Sequence, residues 1–213
     1  MTGQKTVEGR SRGSKRRRAW LKAAVAALAL LPLASLVFRL LAERLGANPI
    51  AEVMNRLGFW TLFLLLTTLA CTPIKIVSGW NGPLALRRML GLFTFAYACL
   101  HLCVYLILDQ GFEWSPIWED IAKRKFITIG FLGFMLMVPL AVTSTNRMVK
   151  RLGFPRWKRL HRLVYVAAVA GIVHFSWRVK ADLLVPMIFA GVLALLLGIR
   201  VVAWLRDRPP RTR

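Results

Sequence analysis

The chain has three histidines, His101, His161 and His174, and all of them fall in apolar stretches. His101 lies within "YACLHLCVY"; His161 and His174 are thirteen residues apart in "KRLHRLVYVAAVAGIVHFSWR". Imidazole is costly in a bilayer and common at metal sites, so its presence there calls for a cofactor, a proton-handling role or a buried hydrogen bond. The segments holding His101 and His174 both enter from the basic side, near Arg88 and Leu160. At 1.5 Å per residue each of these two histidines then sits about 20 Å deep. Two imidazoles at one level on two helices can hold an iron porphyrin, and filling both axial sites suits electron transfer. Ala98, Ala170 and Gly171, three or four residues before them, leave room for a flat ring. Arg178, four residues after His174, is placed to meet a haem propionate. His161 falls at the membrane edge. Thirteen residues of ideal helix leave about 140° between His161 and His174, so a straight helix does not stack them on one stripe.

The elements that must position these groups are membrane spans. Of 213 residues 57% are hydrophobic and the mean hydropathy is +0.54, too apolar for an ordinary soluble domain. Six apolar runs, at 19–41, 57–72, 89–108, 126–145, 160–177 and 183–205, approach the roughly 20 residues that cross a bilayer. Irregular backbone cannot face lipid, so an all-α membrane protein is expected. The net charge is +22. Most of the 31 Lys and Arg fall in the first 22 residues, at Lys75, Arg87 and Arg88, in the 147–162 loop and at the C-terminus. Of the nine acids, only Glu8 and Asp207 share that side. By the positive-inside rule this means six spans with both termini cytoplasmic. The charge is therefore a topology signal and not a nucleic-acid surface.

The expected organisation is a basic tail at 1–18, disordered on anionic lipid heads, a transmembrane domain at 19–205 and a basic tail at 206–213. "RRAWLK" resembles a twin-arginine signal, but the apolar run that follows is long for one, so an uncleaved first span is expected. The 42–58 loop has the spacing of a short amphipathic surface helix. The 109–125 loop combines acids with Trp114 and Trp118, which suit either interface anchors or a docking patch. Cys71, Cys99 and Cys103 lie in spans, where packing or, for the last two, a soft metal is conceivable and a structural disulfide is not expected. No Gly-rich phosphate loop and no pair of mid-span carboxylates is present, which points to an electron-carrying subunit and away from acid–base catalysis.

The stretches "RRMLGLFTFAYACLHLCVY" and "TSTNRMVKRLGFPRWKRLHRLVYVAAVAGIVHFSW", with the six-span plan, resemble the ferric-reductase-like transmembrane proteins, and among them the small MsrQ (YedZ) family. The resemblance runs over 19–205. It implies b-type haem and FMN. It also implies electrons drawn from the quinone pool or a cytoplasmic flavin reductase and carried across the bacterial inner membrane. Their recipient would be MsrP, a periplasmic molybdopterin enzyme that reduces methionine sulfoxide in oxidised proteins. His101 and His174 would then be axial haem ligands, with His161 a further candidate. Larger relatives place two histidines on the third span; here the inner positions are Arg87 and Arg88, leaving His161 without an obvious imidazole partner. The basic inner surface, with Arg87, Arg88, Arg147 and Lys150, is expected to receive flavin phosphate or quinone. The flavin and nicotinamide domain of the larger relatives is not in this sequence, so reducing equivalents are expected from another molecule. The rival readings are a histidine-dependent proton or ion transporter, a membrane anchor, and a ferric-reductase-like carrier with a different acceptor.

Overall fold

The computed structural model describes residues 2–179 and 182–207, with side chains from residue 16 onward. Among the described residues the regular structure is helical. The helices are α1 (Thr2–Leu41), α2 (Pro49–Ser78), α3 (Gly82–Cys103), α4 (Trp114–Lys123), α5 (Lys125–Val142), α6 (Asn146–Leu152), α7 (Phe154–Leu160), α8 (Leu163–Val179) and α9 (Leu184–Arg206). A π-helical turn, Val104–Asp109, extends α3. Among the described residues six stretches are long and apolar enough to cross a membrane: Arg16–Leu41, Pro49–Ser78, Gly82–Asp109, Lys125–Val142, Phe154–Val179 and Leu184–Arg206.

Two local expectations are corrected. The N-terminal tail, expected to be disordered, continues α1 back to Thr2. The 42–58 loop forms no separate helix, because α2 begins at Pro49 and runs for 30 residues. Asn48 caps it, its Oδ1 accepting from Ala51 N–H at 3.1 Å, and Pro49 occupies the first turn, where a missing N–H costs nothing. Glu52 then accepts from Gly46 N–H at 2.7 Å and pairs with Arg39 at 3.0 Å and Arg56 at 2.9 Å, tying α1, the loop and α2 together. The C-terminal tail from residue 208 lies outside the described residues.

The centre of the bundle is α2, 50% of whose most apolar window is buried against 11% for α1 and α5. Leu62, Leu65, Leu66 and Leu69 of α2 pack on Ala168 and Ile172 of α8 and on Phe189, Leu193 and Leu196 of α9. On its other side Leu57, Leu64 and Cys71 meet Ala29 and Leu36 of α1 and Leu86, Leu90 and Tyr97 of α3. Two prolines shape this core. Pro32 interrupts α1, and the buried Tyr97 hydroxyl enters the break, accepting from Leu33 N–H at 3.2 Å and donating to Ala29 O at 2.7 Å. Pro73 has no N–H for Leu69 O, and Arg200 of α9 supplies a donor instead, at 2.7 Å. Close approach of α5 to α8 depends on small residues: a Cβ at Gly133 would lie 3.5 Å from that of Ala170. Outside the spans, α4 buries Ile117 and exposes Trp114 and Trp118. Asp120 ties it to the π-turn region, accepting from Tyr105 Oη at 3.3 Å and Gln110 Nε2 at 3.2 Å.

Candidate functional site: a facing histidine pair and a basic inner cavity

His101 on α3 and His174 on α8 are brought together, with ring centres 6.2 Å apart and planes at 84°. Each ring is held the same way. His101 Nδ1 lies 2.9 Å from Met54 O on α2, and His174 Nδ1 lies 2.6 Å from Phe126 O on α5. A carbonyl only accepts, so Nδ1 carries the proton and Nε2 keeps its lone pair, the form that binds a metal.

The residue four places after each carbonyl is glycine: Gly58 follows Met54 and Gly130 follows Phe126. A helical side chain covers the turn N-terminal to its own Cα, so a glycine at that position leaves the carbonyl accessible. A Cβ at Gly58 would lie 3.1 Å from His101 Cε1, and one at Gly130 only 2.5 Å from His174 Nδ1. Sequence reasoning misses this pair of cradles, whose only trace is one glycine, Gly58, in α2 and one of the two glycines, Gly130, in α5. The residues expected to make room, Ala170 and Gly171, instead pack against Gly133 and Leu62.

A metal between two imidazoles, at about 2 Å from each nitrogen with about 1.1 Å more to each ring centre, separates the centres by about 6.3 Å. The observed 6.2 Å is of the size expected for two imidazoles that would hold one iron porphyrin between them. Arg178 lies one turn beyond His174, its guanidinium carbon 5.8 Å from the Phe175 ring centre.

His161 is elsewhere. It occupies the turn between α7 and α8, and this break removes the straight-helix geometry that set it at 140° from His174. Its ring lies on Trp157, with centres 4.1 Å apart, and its Nε2 is 3.1 Å from Thr143 Oγ1. No second imidazole faces it. It lines a cavity of about 560 Å³ together with Arg87, Arg88, Lys158, Arg162 and Arg200. Of the four basic residues expected here, Arg87 and Arg88 line the cavity. Arg147 and Lys150 do not: they lie on α6, which meets Arg88 through Asn146 Oδ1 at 2.7 Å.

Arg200 is the residue the sequence reading passes over, counted there only among C-terminal positive charges. Its guanidinium donates to Leu69 O and to Tyr165 Oη, the latter at 3.1 Å. Its Nε and the hydroxyl of Thr72 are buried without a hydrogen-bond partner, and both residues line the cavity. Leaving a buried polar group unpaired costs about 1–3 kcal/mol, which a polar ligand in the cavity offsets. The visible signal was an arginine well inside the last apolar run, opposite a proline in the second.

The three cysteines are free. Among the described residues no group of three or more His, Cys, Asp or Glu could hold a bare metal ion, so the histidine pair is suited to a metal that brings its own equatorial ligands.

Comparison with known proteins shows the family of the chain. Residues 56–172 match the model of the ferric reductase like transmembrane component, a stretch that includes His101 and His161 and ends two residues before His174. A protein from Rhodospirillum rubrum called "Protein-methionine-sulfoxide reductase heme-binding subunit MsrQ" is 50% identical over 98% of this chain and 97% of its own. Proteins of the same name from Herminiimonas arsenicoxydans (51% identical, 83% of this chain and 82% of that one) and Ralstonia nicotianae (50%, 85% and 84%) are similar. With six apolar helices and these relatives, the chain belongs to the ferric-reductase-like transmembrane family, in its MsrQ branch, and is a multi-pass protein of the bacterial inner membrane.

Proposed function

We propose that this chain is the haem b subunit of a methionine sulfoxide reductase system. It carries electrons across the membrane to an MsrP-like periplasmic molybdopterin enzyme. The observation that carries the reading is the facing pair His101 and His174, each with its Nδ1 proton on a helix carbonyl and its Nε2 free. Haem held there would supply one-electron redox chemistry at iron. His101 and His174 bind it, Met54 O and Phe126 O fix the tautomer and the ring angle, and Gly58 and Gly130 allow the approach. Arg178 is suited to a propionate. The names of the relatives support haem and the reductase system.

The donor side is the basic cavity, which on the positive-inside rule faces the cytoplasm, as do both termini. Its cations suit the phosphate of FMN, delivered by a flavin reductase, and its apolar walls suit a quinone ring. Arg200 Nε and Thr72 Oγ1 are the groups positioned to bond the ligand's oxygens, with Arg87, Arg88 and His161 around it. Arg147 and Lys150, on α6, are assigned to drawing anions toward the mouth.

The test is stopped-flow reduction of the purified protein by a soluble quinol or by reduced FMN. Arg200→Leu removes a charged hydrogen bond and should slow reduction about tenfold, with the dithionite-reduced spectrum unchanged. Equal rates with both donors would remove the cavity from the electron path.

A further inference from the structure

A second hollow, of about 750 Å³, opens on the outside of the bundle between α1 and α3. Lys22 of α1 and Arg88, Met89, Leu92, Phe93 and Ala96 of α3 line it. Both helices start at the same end of the bundle, so Lys22 and Arg88 share its basic end. The seam of α1 against the core passes through Leu21, Val25, Ala29 and Leu33, leaving Lys22 exposed beside it. Asn146, at the start of α6, holds the Arg88 guanidinium toward that end at 2.7 Å. No carboxylate pairs with Lys22 or Arg88 among the described residues. From Arg88 to Ala96 the apolar wall rises eight residues, about 12 Å at 1.5 Å each, most of one leaflet's half of a hydrocarbon core about 30 Å thick.

We infer that this groove holds one anionic phospholipid, its phosphate at Lys22 and Arg88 and an acyl chain along Met89, Leu92, Phe93 and Ala96. Two cations without an acid call for an anion, and the wall above them calls for a hydrocarbon chain. A soluble phosphate meets only the first requirement, and a zwitterionic lipid meets it weakly because its own ammonium opposes the two cations. The lipid would join α1, one of the two spans with the least buried surface, to α3 beside the Tyr97 contact. The groove shares Arg88 with the donor cavity, and the rest of its lining, Lys22 included, lies outside that cavity and away from the histidine pair.

The experiment is native mass spectrometry of the full chain released from nanodiscs of phosphatidylcholine with graded phosphatidylglycerol, beside a titration with glycerol phosphate. One phosphatidylglycerol should be retained in preference to phosphatidylcholine. Lys22→Ala should lower that retention about fivefold, the effect of one basic residue near a membrane surface. Because the Lys22 side chain is exposed, its loss leaves packing intact, and thermal unfolding of the variant checks that. Leu92→Trp, which narrows the groove without touching a charge, should lower retention too. Equal retention of both lipids, or no effect of Lys22→Ala, would overturn the site. Binding of glycerol phosphate as tight as that of the lipid would overturn the acyl-chain part and leave a soluble-anion site.

Discussion

Gly130→Ala tests the cradle under His174. The added Cβ would lie 2.5 Å from Nδ1, 2.9 Å from Cε1 and 3.1 Å from Cγ. Ordinary contact begins near 3.4 Å, so the ring must retreat by about 0.9 Å at Nδ1. It has little freedom to do so, because Nδ1 is bonded to Phe126 O at 2.6 Å and Nε2 would be held by the haem iron in the proposed site. Overpacking of this kind costs about 1–3 kcal/mol, and losing the Nδ1 bond adds about 1 kcal/mol. The sum, about 2–4 kcal/mol, is a loss of about 30- to 1,000-fold in haem affinity. At Gly58 the nearest atom is His101 Cε1 at 3.1 Å, a shortfall of about 0.3 Å, and Gly58→Ala should cost no more than about tenfold. Gly198 on α9 has nothing within 4 Å, and Gly198→Ala should keep full affinity and gain up to about 1 kcal/mol of helix stability. The assay is haem titration of the apoprotein, with electron paramagnetic resonance of the loaded forms to read the imidazole planes. Gly130→Ala binding haem as tightly as Gly198→Ala, with an unchanged resonance spectrum, would refute the reasoning.

Other consequences follow from the proline sites. Tyr97→Phe removes the hydroxyl that bridges Ala29 O and Leu33 N–H in α1, and should lower unfolding stability by about 1–3 kcal/mol in a mild denaturing-detergent titration. Unchanged stability would mean that water or backbone shift replaces the hydroxyl. Pro73→Ala returns an N–H to Leu69 O, so Arg200→Leu should destabilise the Pro73→Ala protein less than the native one. A double-mutant cycle should give a coupling of about 0.5–3 kcal/mol, and a value of zero would separate the two residues.

The six spans were legible because a bilayer demands long apolar runs whatever the tertiary packing. The common depth of His101 and His174 was legible for a related reason, since helix rise converts residue count into distance from a shared entry side. What stayed hidden depended on which helices touch. Gly58 and Gly130 matter only because α2 meets His101 and α5 meets His174, and nothing in either helix alone distinguishes them from Gly191 or Gly198. Arg200 was read as a terminal charge because its partner, the carbonyl exposed by Pro73, is 131 residues away. The 42–58 stretch misled because its amphipathic spacing looks like a separate helix, whereas Pro49 sits at the first turn of α2 and that spacing runs on into the span. The turn at His161 also escaped periodicity, since the apolar pattern continues across it.

The account rests most directly on His101 and His174 holding the haem. The decisive measurement is the reduced-minus-oxidised spectrum of the purified protein, expressed with ample haem, with pyridine-haemochrome stoichiometry for the native chain and for His101→Ala, His174→Ala and His161→Ala. The account predicts a low-spin b-type signal at one haem per chain, lost in the first two variants with helical content retained, and kept in His161→Ala. A full haem complement in either His101→Ala or His174→Ala, or no haem in the native chain, would contradict it.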